Sequence, residues 1–197
     1  MKKVKVFTLL LVAILAVSAV TAYGYGRMFG KTVVRAEATY PDFDKNELVS
    51  RASVIVSGKV VSLEVQDDFT GVPATDYIIK VDKVFKGNPA AEVEVRTEGG
   101  ENAEMIYIPD EGVPTFQIGE KVVLFLTDEK GDRPDKDDFG YYVLGGHQGK
   151  FIEENGKLKN EKFTFDVATF EQEIAQIEKD NKAKGLKKLK ADPGDDI

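Results

Sequence analysis

The stretch that most constrains the fold is residues 52–66, ASVIVSGKVVSLEVQ, the longest β-forming segment beyond the N-terminal apolar run. Val, Ile and Leu dominate it and proline is absent, which is typical of a β-strand. Its apolar residues change phase in the middle of the segment. Val54 and Val56 occupy even positions, whereas the apolar residues from Val61 to Val65 occupy odd ones.

Gly58 lies where the phase changes. Neighbouring strand residues point to opposite faces, so a one-residue slip exposes the second apolar set unless the strand bulges or bends. An isolated glycine inside a strand pattern often marks such a bend. We therefore predict a strand that bends near Gly58, keeps Val61, Leu63 and Val65 inside, and pairs in both halves of a small barrel. A straight strand that is buried on both faces is the alternative.

The rest of the chain predicts further short strands separated by turns, as in barrels and sandwiches. Alternation or short apolar runs predict strands over residues 32–34, 77–85, 92–98, 122–126, 141–144 and 150–153. Residues 67–76 contain Gly71 and Pro73 and are predicted to form a loop. In segment 92–98 the odd positions are predicted to face the core, and the even positions, which include Arg96, are predicted to face solvent.

Local signals predict a hairpin and two helices. Asn155-Gly156 predicts a hairpin turn because both residues accept a positive φ. Asp44 and Glu47 have the spacing of a capping box, which predicts a short helix before the long strand. Near the other end, Thr169 precedes apolar residues at helical spacing and Gly185 follows them, which predicts an amphipathic helix over 167–185.

The N-terminal residues predict export. Residues 1–22 contain three lysines, then an apolar run from Val6 to Val20, and then small residues before Tyr23, the order of a secretory signal peptide. An uncleaved membrane anchor is the alternative, and it would be the chain's only route to a membrane. The predicted organisation is a signal peptide over 1–22, a spacer over 23–43, a barrel domain over 44–166, the helix over 167–185 and a disordered tail over 186–197.

Composition narrows the function. The chain has no cysteine, which excludes disulfides, thiolate metal sites and cysteine nucleophiles. Its net charge is −7, and loss of the leader with its three lysines would make the charge still more negative. Such a surface repels phosphate backbones, so nucleic acid is not expected as a partner.

Motifs for catalysis are weak. His147 is the single histidine, and the glycine-rich run around it is one residue short of a phosphate-binding loop, with Phe151 where Ser or Thr should stand. Ser57-Gly58 lacks the preceding glycine of a nucleophile elbow. Hydrolysis by a pair of carboxylates needs two acids that converge in a cleft, and most acids here are predicted on loops or wet strand faces. We therefore predict a protein without catalytic activity or cofactor.

The acidic loop after residue 127 is a weak calcium candidate. Asp132, Asp135 and Asp137 could supply oxygen ligands, but the EF-hand pattern fails at Phe139 and basic residues intervene. A solvated charged loop is the favoured interpretation. No metal is therefore predicted.

Four segments together resemble a known class of proteins. The segments are ASVIVSGKVVSLE, YIIKVDKVFKGNPAAEVEVRTEGG, FQIGEKVVLFL and YYVLGGHQGKF. They are similar to exported bacterial and archaeal proteins of unassigned function whose domain resembles the OB-fold barrel of the netrin-like and metalloproteinase-inhibitor group. The resemblance covers about residues 46–154 and implies a barrel architecture. It does not transfer the inhibitors' mechanism, because their N-terminal cysteine is absent here. The helix usual between the third and fourth OB strands is also not evident.

The sequence thus predicts a mainly β protein, a small closed OB-like (netrin-like) barrel with a short N-terminal helix and a C-terminal amphipathic helix. Its predicted function is non-enzymatic binding of a protein or glycan at the cell surface or outside the cell. Aromatic residues and arginine favour contact surfaces, and the candidate ligand-binding residues are Arg96, Tyr107, Tyr141, Tyr142 and His147. The tyrosines alternatively cap the core. A secreted hydrolase using a carboxylate pair and a membrane-anchored structural protein of the envelope are the alternative functions.

Overall fold

The computed structural model describes residues 30–37 and 39–185. The predicted signal peptide and the predicted tail lie outside these residues. In chain order the elements are β1 (Thr32–Arg35), α1 (Lys45–Arg51), β2 (Val54–Asp67), β3 (Pro73–Lys86), β4 (Glu92–Glu98), β5 (Gly100–Glu101), β6 (Met105–Ile108), β7 (Lys121–Thr127), β8 (Tyr141–Val143), a 3-10 turn (Gly146–Gly149), β9 (Lys150–Glu154), β10 (Lys157–Lys159), β11 (Thr164–Asp166) and α2 (Phe170–Lys184).

Five strands close into a barrel in the order β7, β2, β3, β4 and β8. The ring closes because β8 pairs with β4 on one side and with β7 on the other. The β4–β8 pair is parallel, and the other pairs of the ring are antiparallel. The prediction of a mainly β protein with a small closed OB-like barrel, one helix before it and one after it, is confirmed.

The long strand β2 is irregular around Gly58, as predicted. Its register with β3 shifts between Ser57 and Gly58 and again between Val60 and Ser62. A Cβ added to Gly58 would lie 2.5 Å from the carbonyl oxygen of Lys80, so the two backbones approach too closely there for any side chain. This close contact gives the isolated glycine its structural reason.

The prediction that the second half of β2 is buried is wrong. Val61, Leu63 and Val65 remain 39%, 43% and 38% exposed. Pairing with β7 ends at Lys59, whereas pairing with β3 continues to Asp67. Among the described strands, the outer half of β2 therefore has a neighbour on one edge only and extends beyond the barrel, and its apolar face is partly covered.

Two apolar cores lie on opposite faces of β7. Val122, Leu124 and Leu126 point into the barrel, and the alternate residues Val123 and Phe125 point outward. This continuous apolar run was predicted as a central strand, and burial on both faces is the reason for its composition. The barrel core is completed mainly by Val54, Val56, Val60, Tyr77, Ile79, Val93, Val95, Phe116 and Val143.

The outer core lies between the barrel and a second layer. β9, β10 and β11 extend the sheet from β7, and both helices pack over them. The rings of Phe125, Phe151, Phe165 and Phe170 contact one another here, with centroids 5.1–6.3 Å apart. These mutually packed aromatic residues fix the second layer on the barrel wall.

The predicted local signals fold as expected. Asp44 Oδ1 accepts a hydrogen bond from the Glu47 amide at 2.8 Å, and Glu47 Oε2 accepts one from the Asp44 amide at 3.1 Å, which is a complete capping box. Asn155 and Gly156 have φ angles of 51° and 73° in the β9–β10 turn. Helix α2 begins after Thr169, whose side chain makes no capping bond.

β5 and β6, which lie between the third and fourth barrel strands in the chain, form a small second sheet with β1. β6 pairs in parallel with β1 and antiparallel with β5. The short strand predicted near residues 32–34 is therefore confirmed, and no helix lies between residues 99 and 120. Within the described residues, no helix combines the length and apolar character needed to cross a membrane.

Candidate functional site

A row of three polar side chains crosses the outer face of the barrel. Asp76 on β3 is the register partner of Arg96 on β4, and Arg96 is the register partner of Tyr142 on β8. Their strand neighbours Tyr77, Val95 and Val143 point into the barrel core, so the three polar side chains share the opposite face.

Arg96 and Asp76 are buried, contrary to the prediction. Arg96 was predicted on a wet strand face and is 3% exposed, and Asp76 was predicted in a loop but lies on β3 and is 2% exposed. Arg96 donates from Nε to Asp76 Oδ1 and from Nη2 to Oδ2, both at 2.7 Å. Gln66 Nε2 donates to Asp76 Oδ2 at 2.9 Å. The hydrogen bonds of this bidentate pair offset part of the desolvation cost of the two buried charges.

The charged loop 128–140 covers this pair. Asp135, 7% exposed, accepts a hydrogen bond from Arg96 Nη1 at 3.1 Å and one from Arg133 Nη2 at 2.8 Å. Arg133 donates from Nη1 to the Tyr142 hydroxyl and approaches Asp68 Oδ2 at 3.6 Å. We call this chain of alternating charges the charged network, and its members are Asp76, Arg96, Asp135, Arg133 and Asp68.

Aromatic rings cover both guanidinium groups. Arg96 lies 4.3 Å from the centroid of Phe139, which is itself buried. Arg133 lies 5.0 Å from the centroid of Phe69 and 5.7 Å from that of Tyr142. Cation–π contacts add to the ion pairs and help to hold loop 128–140 against the barrel.

The ionisation of the network follows from these contacts. The hydrogen bond from Arg133 is the main reason that the pKa of Asp135 is lowered. Burial raises the pKa of Tyr142 to about 12. Asp135 is therefore a carboxylate and Tyr142 a neutral phenol under ordinary conditions.

A pocket of about 150 Å³ opens beside the charged network. It lies between loop 68–72, which joins β2 and β3, and loop 128–140, which joins β7 and β8. Its polar lining consists of Asp68, Thr70, Arg96, Glu98, Tyr107, Arg133 and Tyr142, and its apolar lining consists of Val72, Pro73 and Ala74. The pocket combines aromatic rings, charges and an apolar surface.

Glu98 is an exposed acid at the end of β4 that lines the pocket. Among the described residues, no side chain or backbone amide donates a hydrogen bond to its carboxylate. Desolvation raises the pKa of Glu98, and the charge of Arg133 opposes that rise. Desolvation and the charge of Glu98 likewise raise the pKa of Tyr107. The same two causes, with burial the larger, raise the pKa of Tyr40 to about 12.

The structure brings together three of the five predicted ligand-binding residues. Arg96, Tyr107 and Tyr142 line the pocket. Tyr141 packs against the barrel core instead. His147 lies on the 3-10 turn, where its Nδ1 is 3.3 Å from the Gly112 carbonyl oxygen. The capping interpretation therefore describes Tyr141, and His147 is no part of the pocket.

Seven pocket residues were missed from the sequence, and three of them are charged. Asp68, Glu98 and Arg133 lie next to strand ends in loops or at the rim. The only signal for these residues in the sequence is their position near strand ends. Such positions are informative since loops carry binding residues more often than strands do.

The calcium candidates do not form a site. Asp132 and Asp137 are exposed, and Asp135 is bound by two guanidinium groups that a cation would have to displace. Within residues 30–37 and 39–185, no group of three or more acidic or histidine side chains could hold a metal ion.

The chain matches no protein-family model, and no curated protein matches it significantly. The function is therefore argued from the fold and the pocket.

Proposed function

We propose that this protein is an exported, non-enzymatic binding module that holds a protein or glycan partner through the pocket between loops 68–72 and 128–140. The position of that pocket carries the proposal. OB-type barrels bind their ligands on one sheet face together with the loops that join strands 1 and 2 and strands 4 and 5. In this barrel those loops are 68–72 and 128–140.

The rigidity of the pocket supports a binding role. The wall that carries Tyr142 is fixed by the Arg96–Asp76 pair below it and by Asp135 above it. Asp68 holds loop 68–72 by accepting bonds from the amides of Thr70 at 2.8 Å and Val72 at 3.0 Å. A preorganised site loses little conformational entropy when its ligand arrives.

Export and the choice of partner class rest on the sequence. The leader-like residues 1–22 direct the chain out of the cytoplasm. The chain has no cysteine, so its fold outside the cytoplasm does not depend on disulfides. The net charge of −7 leaves protein or glycan as partner in preference to nucleic acid.

The test is a comparison of ligands bound by matched variants. Wild type, Val72→Trp and His147→Ala are applied to paired peptide and glycan arrays, after circular dichroism has established that all are folded. Val72 lines the pocket, so the indole of Val72→Trp fills it, whereas His147 lies outside it. Ligands retained by wild type and His147→Ala but lost by Val72→Trp support the proposal. Ligands bound equally by all three proteins, or none at all, contradict it.

One observation favours a hydrolase as a second candidate. Glu98 and Asp68 line the same pocket, and the pKa of Glu98 is raised by desolvation. Two carboxyl groups in unlike environments are the arrangement of glycoside hydrolases, where the acid of raised pKa donates a proton. Array ligands incubated with wild type and Glu98→Gln distinguish the two functions. Cleavage products that appear with wild type alone indicate hydrolysis, and intact ligand indicates binding.

A further inference from the structure

The two arginines in the pocket wall are already neutralised. Arg96 donates hydrogen bonds from Nε and Nη2 to Asp76 and from Nη1 to Asp135. Arg133 donates to Asp135 through Nε and Nη2 and to the Tyr142 hydroxyl through Nη1. An anionic ligand that approached either guanidinium would also meet the carboxylates that already surround it. The pocket is therefore not an anion site, although it contains two arginines.

What remains for a ligand is acceptor capacity and negative charge. The charged network and Glu98 together hold four carboxylates against two guanidinium groups. Glu98 is the carboxylate without a hydrogen-bond donor among the described side chains. The phenol oxygens of Tyr107 and Tyr142 lie in the same wall. Glu98 is solvent-exposed at the end of β4, and an exposed carboxylate without a protein donor is accessible to a ligand that brings a positive charge and N–H groups.

One part of the lining, next to the polar Asp68 and Thr70, is apolar and suits an alkyl chain. Val72, Pro73 and Ala74 line it, and Phe69 is 50% exposed at the edge of loop 68–72. The volume of about 150 Å³ accommodates a narrow group better than a branched oligomer. A lysine side chain has this form, since its ammonium is compact and its four-carbon stem packs on apolar surface.

We propose that the pocket binds the side chain of a lysine on a partner protein, with the ammonium at Glu98, Tyr107 and Tyr142 and the stem on Val72 and Pro73. This inference rests on the proposed binding function and specifies its ligand. An amino sugar offers the same ammonium on a bulkier ring, which the apolar wall fits less well.

The experiment uses small probes and amide chemical shifts of the 15N-labelled chain. Nα-acetyl-lysine methylamide is the main probe, and Nα-acetyl-norleucine methylamide is its uncharged counterpart. Methyl glucosaminide tests the amino-sugar source. We expect the lysine probe to shift the amides of Thr70, Val72 and Glu98, with a Kd in the range of about 1 mM that is typical of so small a ligand.

Two glutamate variants on the same strand make the test specific. Glu98→Gln removes the carboxylate from the pocket, and Glu92→Gln removes the same charge from an exposed position at the start of β4. We expect Glu98→Gln to weaken the lysine probe about tenfold or more, and Glu92→Gln to leave its Kd within about twofold.

Each other outcome overturns the inference. Equal affinity for the norleucine probe, or no loss in Glu98→Gln, means that the ammonium is not recognised. Binding of methyl glucosaminide without binding of the lysine probe would identify the partner as a glycan and not a protein. In these cases the pocket still binds and the proposed function stands. The absence of pocket shifts with all probes overturns the lysine assignment, and the array comparison then decides the binding function separately.

Discussion

Arg96 and Asp76 face each other across β3 and β4 through two hydrogen bonds of 2.7 Å, and neither side chain is more than 3% exposed. This buried pair anchors the outer face of the barrel. Through Asp135 it also fixes the loop that forms one side of the pocket. The site is thus built on an electrostatic connection between two strands and a loop that lie far apart in sequence.

Replacement of Arg96 by Met is expected to lower the free energy of unfolding by about 3–5 kcal/mol, because it leaves the buried carboxylate of Asp76 without its cation and removes one of the two guanidinium groups at Asp135. Urea unfolding followed by far-UV circular dichroism measures the loss. Arg35→Met on the exposed face of β1 is the control, and it should change stability by no more than about 0.5 kcal/mol. Equal losses in the two variants would show that the pair contributes no more than a surface charge.

The contribution of Asp135 is expected to depend on pH. Because the pKa of Asp135 is lowered in the folded state, chiefly by Arg133, its stabilisation is present above the pKa of an unfolded aspartate, near 4, and disappears as the pH falls through the lowered value. Asp135→Asn should therefore cost about 2 kcal/mol at neutral pH and progressively less in acid. Urea midpoints between pH 7 and pH 3 measure this, with exposed Asp132→Asn as the control. A cost for Asp135→Asn that stays constant with pH would contradict the ion-pair explanation.

Glu98 is expected to behave in the opposite sense. Its pKa is raised by desolvation, so the carboxylate lowers stability at neutral pH and the penalty disappears as the pH falls through the raised value. Glu98→Gln should then be as stable as wild type or up to about 0.5 kcal/mol more stable at pH 7, and the difference should vanish in acid. Thermal unfolding across this pH range measures both effects. A destabilised Glu98→Gln protein at pH 7 would indicate a structural role in place of a ligand role.

Two glycines are expected to resist substitution for different reasons. A Cβ at Gly58 would lie 2.5 Å from the Lys80 oxygen and 2.8 Å from Ile79 Cγ2, so Gly58→Ala must push β2 and β3 apart at a cost of about 1–3 kcal/mol or more. Gly156 has open space around it but a φ of 73°, so Gly156→Ala should cost about 1 kcal/mol through backbone strain alone.

Amide hydrogen exchange is a second measurement that distinguishes the two glycine variants. Amide exchange in β2 and β3 should accelerate in Gly58→Ala and remain unchanged in Gly156→Ala, whose effect stays in the β9–β10 hairpin. Unchanged exchange in both variants would show that the close backbone approach at Gly58 is unimportant.

The strands were predictable because their apolar residues alternate, and the hairpin and capping box because their residue types permit few other conformations. The burial of Arg96 was not predictable in the same way. A period of two assigns Arg96 and Glu98 to one face of β4 but does not reveal what covers that face. Loop 128–140 covers it at Arg96, and this segment is joined to β4 only through tertiary structure.

The same limit explains the errors in β2 and in the candidate site. Val61, Leu63 and Val65 form a regular apolar row, yet their burial depends on how far β7 extends beside them. Arg96, Tyr107 and Tyr142 were predicted from their residue types, and folding places them in one pocket. Residue type does not specify which partners Arg96 has, so its neutralisation by two aspartates became visible only in three dimensions.

Strand β7 gives one face to the barrel interior and the other to the aromatic layer beneath the helices. If either half of the molecule unfolds, the face of β7 that it covers becomes exposed to solvent. A proteolytic cut that releases α2 is therefore expected to destabilise the barrel as well.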